Sequence, residues 1–338
     1  MRWILNAHQR KVEARFGRGV DILSGHWTPP LTPREAVELE ARQIEEKLGL
    51  KPLVSLSDHD NIEAASQLRV VPEYSTLPIS VEWTVPYRET SFHIGVHNLP
   101  AEHAAAWMAR LRQASAQSSP KLLAEIFCAL HELDQVLVVF NHPMWNLSRL
   151  EQGQFELVLS DFLAKYSAWI HAFELNGLRT WKENQSVAEL ACAWNQLVIS
   201  GGDRHAFEPN ANVNMTNAVC FSEFVHEVRV RRISHVMFMP QFADPLASRF
   251  LQTFLDVTRL QPERPEGMQR WDDRVYHCDA QGVARPLSAL WRRPPRFLEQ
   301  IFRLAHVMGD SGAHQYLRHS KRKQIGLRLN LEDGEVEP

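Results

Sequence analysis

The feature that most constrains the fold is an alternation of short apolar runs with longer amphipathic stretches. Most of the runs are continuously apolar, which is typical of parallel strands covered on both faces. Strands are predicted at 3–5, 53–56, 79–85, 92–96, 136–140, 170–175 and 197–200. The stretches between them predict helices at 32–47, 100–115, 120–133, 155–166 and 183–194. This alternation predicts βαβ units and an α/β fold built on a parallel sheet, either closed or open.

Composition narrows the class of protein further. The chain has 338 residues, 44% of them apolar, and a formal net charge of −3, which excludes a disordered, collagenous or coiled-coil chain. Its four cysteines form no C-x-x-C pair, so a reduced, cytoplasmic chain is expected rather than a disulfide framework. The longest purely apolar run, 136–140, is far below the roughly 20 residues that span a bilayer, so we expect no membrane segment.

The pattern changes near residue 240. Two helices are predicted at 246–260 and 296–307, with Pro-, Arg- and Gly-rich segments between them. We therefore expect one domain over 1–240 and a helical C-terminal extension with a basic tail over 241–338. The window 291–328 holds nine Lys or Arg and two acidic residues. This charge fits contact with a nucleic-acid backbone, and it fits a solvated terminal helix and tail equally well. The sequence does not predict an oligomeric state.

Side chains that bind metals recur where the predicted strands end. Neutral imidazoles and carboxylates are ligands for Zn, Mn and Fe, and the carboxyl ends of barrel strands meet on one face. The segments that carry them are Ser57-Asp58-His59-Asp60, Glu82 within its strand, His93, Asn141-His142-Pro143, Glu174-Leu175-Asn176 and Gly201-Gly202-Asp203-Arg204-His205. Five strand ends converging on such side chains predict a metal centre.

Each of these segments also has a purely structural interpretation. Asp58-His59 can cap a following helix, and the segments around His142 and Asp203 can be simple turns. An isolated histidine such as His26 or His171 is more often a structural residue than a ligand. Taken together, the segments favour the functional interpretation.

Glu82 is the most informative single residue. It lies among Ile79, Val81, Trp83 and Val85, and a strand buried on both faces should not carry an unpaired carboxylate. Either a cation neutralises it or it faces solvent at a sheet edge, and we favour the cation. Glu174 is similar and is followed by Asn176, so we expect these two to orient a ligand.

The order and spacing of these motifs resemble the polymerase and histidinol phosphatase (PHP) superfamily over roughly residues 1–240. The resemblance implies a distorted (β/α)7 TIM-like barrel that holds two or three divalent metal ions and hydrolyses phosphate esters. In that family pattern Glu82 bridges two ions, Asp203 binds one of them, and His93 and His142 complete the second. His59 and His205 hold the third, and Asp58 is a ligand or orients one. The implied catalytic residues are Asp58, His59, Glu82 and His205.

One motif departs from the family pattern. The family begins with His-x-His at the end of the first strand, and the matching segment here is Asn6-Ala7-His8. His8 fits as a metal ligand, but Asn6 offers only a neutral carbonyl oxygen, a weak ligand for a transition metal. His26 is the nearest candidate to replace the missing histidine. The departure affects the ion held by the first strand.

The leading hypothesis is therefore a metal-dependent phosphoesterase that uses Zn, Mn or Fe and a small phosphorylated substrate, nucleotides included. Arg204 and Arg179 lie near strand ends and are the expected contacts for the substrate phosphate. Asn6 motivates a second hypothesis, a catalytically impaired barrel that acts as a binding or regulatory module. A third keeps the metals but cleaves C–N bonds, as amidohydrolase-type barrels do. Those barrels usually carry a bridging lysine carbamate, and no predicted strand offers the lysine.

Overall fold

A computed structural model describes residues 26–208, 210–278, 283–289, 294 and 296–309. Its contacts divide the chain into two compact units. The sheet unit comprises 33–204 and 210–242, and the terminal unit comprises the described residues of 26–32, 205–208 and 243–309. The predicted strand at 3–5 lies outside the described residues, as do Asn6 and His8. The expected division into 1–240 and 241–338 stays a prediction.

The fold is mixed α/β, as the alternation predicts. The strands are β1 His26–Trp27, β2 Leu56–His59, β3 Ile79–Tyr87, β4 Thr90–Leu99, β5 Leu137–Asn141, β6 Ala172–Asn176, β7 Leu197–Gly201, β8 Asn212–Met215, β9 His235–Phe238, β10 Val275–Cys278 and β11 Ala284–Pro286. The α-helices are α1 Pro33–Leu48, α2 Glu63–Leu68, α3 Ala104–Gln117, α4 Pro120–His131, α5 Gln152–Tyr166, α6 Trp181–Ala193, α7 Phe221–Arg229, α8 Leu246–Thr258, α9 Trp271–Arg274 and α10 Arg296–Gly309.

A curled six-stranded sheet in the order β2-β3-β4-β5-β6-β7 forms the frame of the sheet unit. The expectation of a wholly parallel sheet is wrong for β4, which runs antiparallel to both β3 and β5. Only Arg88 and Glu89 separate β3 from β4, whereas a parallel connection needs a crossover of a dozen or more residues. Arg88 takes a φ of +51° in this tight turn. The remaining neighbours, β2–β3, β5–β6 and β6–β7, are parallel.

The two faces of the sheet bury different apolar sets, which explains the continuous runs in the sequence. One face packs against helices through a core that includes Phe92, Phe127, Phe140, Phe162 and Tyr166. The other face carries a smaller cluster of Leu137, Val139, Ala172 and Ile199, covered by Val225 and Val228 of α7. Along β5 the residues therefore alternate between two apolar environments. Two residues further along each strand, this second face carries polar side chains, Asn141 on β5 and Glu174 on β6.

Helix starts follow the expected chemistry where a cap is present. Ser119 accepts a hydrogen bond from the Leu122 amide, and Pro120 occupies the first turn of α4. Thr180 caps α6 by accepting from the Glu183 amide at 3.2 Å, so this helix begins two residues before its predicted start.

None of the helices in the described part of the chain is both long and apolar enough to cross a lipid bilayer.

A histidine pair joins the end of α4 to the start of β6. The Val138 amide donates to Nδ1 of His171 at 2.8 Å, so Nε2 of His171 carries the proton and donates to Nδ1 of His131 at 2.9 Å. Burial, together with the nearby Arg229 guanidinium, lowers the pKa of His171 to about 3, and both effects also lower the pKa of His131. Both rings are therefore uncharged at neutral pH, as a structural histidine pair requires.

This histidine pair predicts that the unfolding free energy decreases in acid. Because both folded-state pKa values lie below the unfolded value near 6.5, the stabilisation is complete above about pH 6.5 and is lost as the pH falls below it. We expect His171→Gln to flatten the pH dependence of the unfolding free energy between pH 6 and 4 by up to about 1.4 kcal/mol per pH unit. Urea titrations at several pH values measure this slope. His103→Gln, at an exposed histidine, is the control, and equal slopes in the His171 variant and the wild type would contradict the prediction.

Candidate metal centre

Four of the predicted ligands converge because of strand register. His59 ends β2 directly beside Glu82 of β3. The antiparallel turn brings His93, near the start of β4, opposite Thr84 of β3 and Asn141 of β5. His142 follows Asn141 immediately, with a positive φ of 30°. His93 thus reaches the same edge as the ends of β2 and β5 because its strand runs in the opposite direction.

The ligand atoms of Glu82, His93 and His142 form a compact triangle. Oε1 of Glu82 lies 3.1 Å from Nδ1 of His93 and 3.1 Å from Nε2 of His142. The two nitrogens are 3.4 Å apart. Atoms bound at 2.0–2.1 Å to a tetrahedral ion lie about 3.3 Å from one another. The three distances therefore match the edges of a metal coordination polyhedron.

His59 approaches the other oxygen of the same carboxylate. Its Nε2 lies 3.7 Å from Oε2 of Glu82, and its ring meets the ring of His93 edge-on at 4.8 Å. The side chain of His59 is 52% exposed, whereas those of His93 and His142 are 7% and 4% exposed. Glu82 can thus serve two ligand groups, one through each oxygen, and His59 forms the solvent-facing side of the centre.

The charge states suit a cation. Burial opposes ionisation of Glu82, but hydrogen bonds from His142 and His93 hold the pKa of this carboxyl well below its ordinary value. Burial also lowers the pKa of His142, despite its hydrogen bond to Glu82. At neutral pH Glu82 is an anion and His142 an uncharged imidazole, which are the forms that bind a metal. Of the two sequence alternatives for Glu82, the edge position is wrong, because β3 lies inside the sheet and Glu82 is buried.

A second polar layer supports this group. Glu174 of β6 accepts a hydrogen bond from the His142 amide at 2.8 Å and another from Nδ2 of Asn176 at 3.2 Å. The same amide nitrogen of Asn176 lies 3.2 Å from Oδ2 of Asp203. Burial, and then the charges of Glu82 and Asp203, raise the pKa of Glu174 to about 8. Asn176 therefore links Glu174, which holds the backbone of His142, to Asp203.

The other predicted site residues are placed as follows. Asp58 pairs with Val81 and so projects to the opposite face of β2 from His59. Arg204 forms an ion pair with Glu40 of α1 at 3.1 Å and a hydrogen bond to Gln43. His205 belongs to the terminal unit, where its ring contacts Trp27. His26, also in the terminal unit, stacks on Tyr276 at 5.3 Å. The roles assigned to these residues from the sequence stay predictions.

Trp145 was not among the site residues predicted from the sequence. Its ring meets His142 edge-on at 4.9 Å and His93 at 5.7 Å, and it is 36% exposed. With Ser91, Asn141 and Leu147 these residues line a small cleft. The available signal was an aromatic residue three positions after His142 in a segment already singled out for metal binding.

Comparisons with known proteins found distant likenesses among solved structures. No family model matches this chain, and no curated protein matches it. An amidohydrolase from Chromobacterium violaceum, solved with sulfate and no metal, is 16% identical, with a TM-score of 0.35 over 53% of this chain and 84% of its own. A Bifidobacterium adolescentis protein assigned as a metal-dependent phosphoesterase is 18% identical, with a TM-score of 0.34 over 60% and 91%. PsfC from Pseudomonas syringae is 14% identical, with a TM-score of 0.44 over 65% and 88%. What the chain does is therefore inferred from the side chains of the centre itself.

Proposed function

We propose that this protein is a metal-dependent hydrolase that cleaves a phosphate ester and has the distorted (β/α)7 barrel of the PHP type. The observation that carries the proposal is the triangle of Glu82, His93 and His142, with edges of 3.1, 3.1 and 3.4 Å. Two imidazole nitrogens and a carboxylate oxygen at these separations suit a shared cation. The residues present therefore fit a metal.

The residues of the centre would hold at least two divalent ions. Glu82, His93 and His142 would hold one, Oε2 of Glu82 with His59 would hold a second, and Asp203 would contribute to one of these. Bound there, Zn, Mn or Fe would supply Lewis acidity that acidifies a water molecule and neutralises charge on the phosphate.

The chain's own groups have separate tasks. Buried His93 and His142 would hold the ion against Glu82, while Glu174 fixes the backbone of His142. Half-exposed His59 lies on the solvent-facing side of the centre, where a substrate could enter. Trp145 lines one side of the cleft, beside His142. Arg204 and the basic tail stay the predicted contacts for phosphate and nucleic acid, and a cytoplasmic location stays an expectation.

One observation favours phosphate esters over the C–N bonds cleaved by amidohydrolase-type barrels. None of the six strands of the sheet, all within the described residues, carries a lysine that could form a bridging carbamate. In the proposed centre a carboxylate, Glu82, would take the bridging place instead. A catalytically impaired barrel, motivated by Asn6, makes a different prediction, since it would bind at most one ion tightly and turn over no phosphoester.

Metal removal tests the proposal. The purified full chain is stripped with a chelator and assayed on p-nitrophenyl phosphate before and after addition of Mn²⁺, Zn²⁺ or Fe²⁺, with bound metal counted by elemental analysis. We expect no hydrolysis without metal, recovery with at least one of the three, and two or three ions per chain. A stripped chain that hydrolyses the ester at the full rate, or one that binds no metal, would refute the proposal.

A further inference from the structure

The guanidinium of Arg179 lies between two carboxylates and an indole. Its Nη2 is 3.6 Å from Oδ2 of Asp203, and its Nε is 3.5 Å from Oε1 of Glu183. Its Cζ lies 4.4 Å from the centre of the Trp145 ring, within the range of a cation–π contact. The Arg179 side chain is only 11% exposed. These contacts hold the guanidinium in one place and cover one of its faces.

The indole that covers Arg179 also contacts the metal centre. The Trp145 ring meets the rings of His142 and His93 edge-on, at 4.9 and 5.7 Å. Asp203, which pairs with Arg179, also accepts from Nδ2 of Asn176 at 3.2 Å. Trp145 and Arg179 therefore link the ligands on β4 and β5 to the carboxylate that follows β7.

We propose that Arg179, held by Trp145, is a positioning residue that orients the Asp203 carboxylate for the metal centre, and that it does not bind the substrate phosphate. This inference rests on the proposed function, since it needs Asp203 to be a metal ligand. It revises the sequence-based role of Arg179.

The charges and the backbone support this role. The two carboxylates of Asp203 and Glu183 outweigh the single positive charge of Arg179, so little of that charge is left to attract a phosphate. Asp203 has a φ of +48°, a backbone conformation that L-residues adopt only at some cost. The turn therefore constrains the direction in which the Asp203 side chain leaves the backbone. Ligating carboxylates are commonly held by hydrogen bonds from outer groups, whose loss weakens metal affinity about 10- to 100-fold.

The test is a titration of the metal-free full chain with Mn²⁺, followed by calorimetry, on the wild type and on four variants. We expect Arg179→Gln and Trp145→Leu to lower the Mn²⁺ affinity of the site that includes Asp203 by about 10- to 100-fold. The affinity of any site without Asp203 should not change. Trp145→Phe keeps an aromatic face and should restore most of the affinity. Arg110→Gln is the matched control, because exposed Arg110 also stacks on an indole, that of Trp107 in α3, at 4.3 Å. It should change nothing.

The outcomes separate this inference from the proposed function. If Arg179→Gln titrates like the wild type and only raises KM for p-nitrophenyl phosphate, Arg179 contacts substrate and the inference is wrong. If the wild type binds no Mn²⁺ and no other divalent ion, the proposed function itself fails. Far-UV circular dichroism checks folding. If one variant does not fold, the other and the Trp145→Phe rescue still decide the question, since each changes the same contact independently.

Discussion

Glu82→Gln is expected to lower metal-dependent kcat/KM by about 1,000-fold and to leave the protein with less than one ion per chain. Glutamine keeps the size of the side chain but removes the charge and replaces one oxygen with an NH₂ group. That group would face either His59 or the nitrogens of His93 and His142, which lie 3.1 Å from Oε1 in the wild type. Steady-state kinetics with added Mn²⁺ and elemental analysis measure both effects.

A matched substitution separates this effect from the general cost of losing a buried carboxylate. Glu227 of α7 is also buried, and it accepts a hydrogen bond from the Thr216 hydroxyl. Glu227→Gln should retain its metal content and its kcat/KM. If Glu82→Gln kept full metal content and activity, Glu82 would not be a ligand and the centre described above would not function as proposed.

Gly201→Ala is expected to destabilise the protein by about 3 kcal/mol and to lower metal affinity with it. A Cβ at Gly201 would lie 1.5 Å from Oε1 and 2.2 Å from Cδ of Glu174. The Glu174 carboxyl has little freedom to move, because it is buried and accepts from the His142 amide and from Asn176. The added methyl group must therefore break the contact that holds the backbone of His142. Urea denaturation and Mn²⁺ titration measure the two losses.

Two further variants make this prediction specific. Gly153→Ala, in α5, places a Cβ where nothing lies within 4 Å, so it should be neutral or stabilise by up to about 1 kcal/mol. Glu174→Ala removes the group with which the methyl would collide. If the collision is the cause, the destabilisation by Gly201→Ala should be clearly smaller in the Glu174→Ala background than in the wild type. Strictly additive losses would show that another contact is responsible.

Much of the secondary structure could be predicted from the sequence. The predicted strands at 136–140 and 170–175 correspond to β5 Leu137–Asn141 and β6 Ala172–Asn176, and the predicted helix at 120–133 to α4 Pro120–His131. Continuous apolar runs and cap residues are local signals, so they can be recognised without knowledge of the fold. The elements β8, β9 and α7 were not predicted. β8 and β9 have only four residues each, with two asparagines in β8, and α7 buries little beyond Val225, Glu227 and Val228.

The centre was predictable in its residue types but not in its arrangement. The turn residues that follow β5 and β7 pointed to His142 and Asp203, and an apolar strand around Glu82 pointed to a neutralising partner. Nothing local indicated that Arg204 would pair with Glu40 or that Trp145 would lie against Arg179. These contacts join residues far apart along the chain, and their distances depend on how whole elements pack.

By itself the sequence determined the class of fold and the kinds of side chain at the strand ends. Burial periodicity and metal-ligand chemistry are properties of neighbouring residues, so both can be read along the chain. Tertiary structure decided the direction of β4, and with it which side chains meet Glu82. His93 reaches this carboxylate only through an antiparallel turn, and His142, 60 residues from Glu82, only through the register of β4 against β5. Strand direction and register are set by packing over the whole sheet, which no single segment encodes.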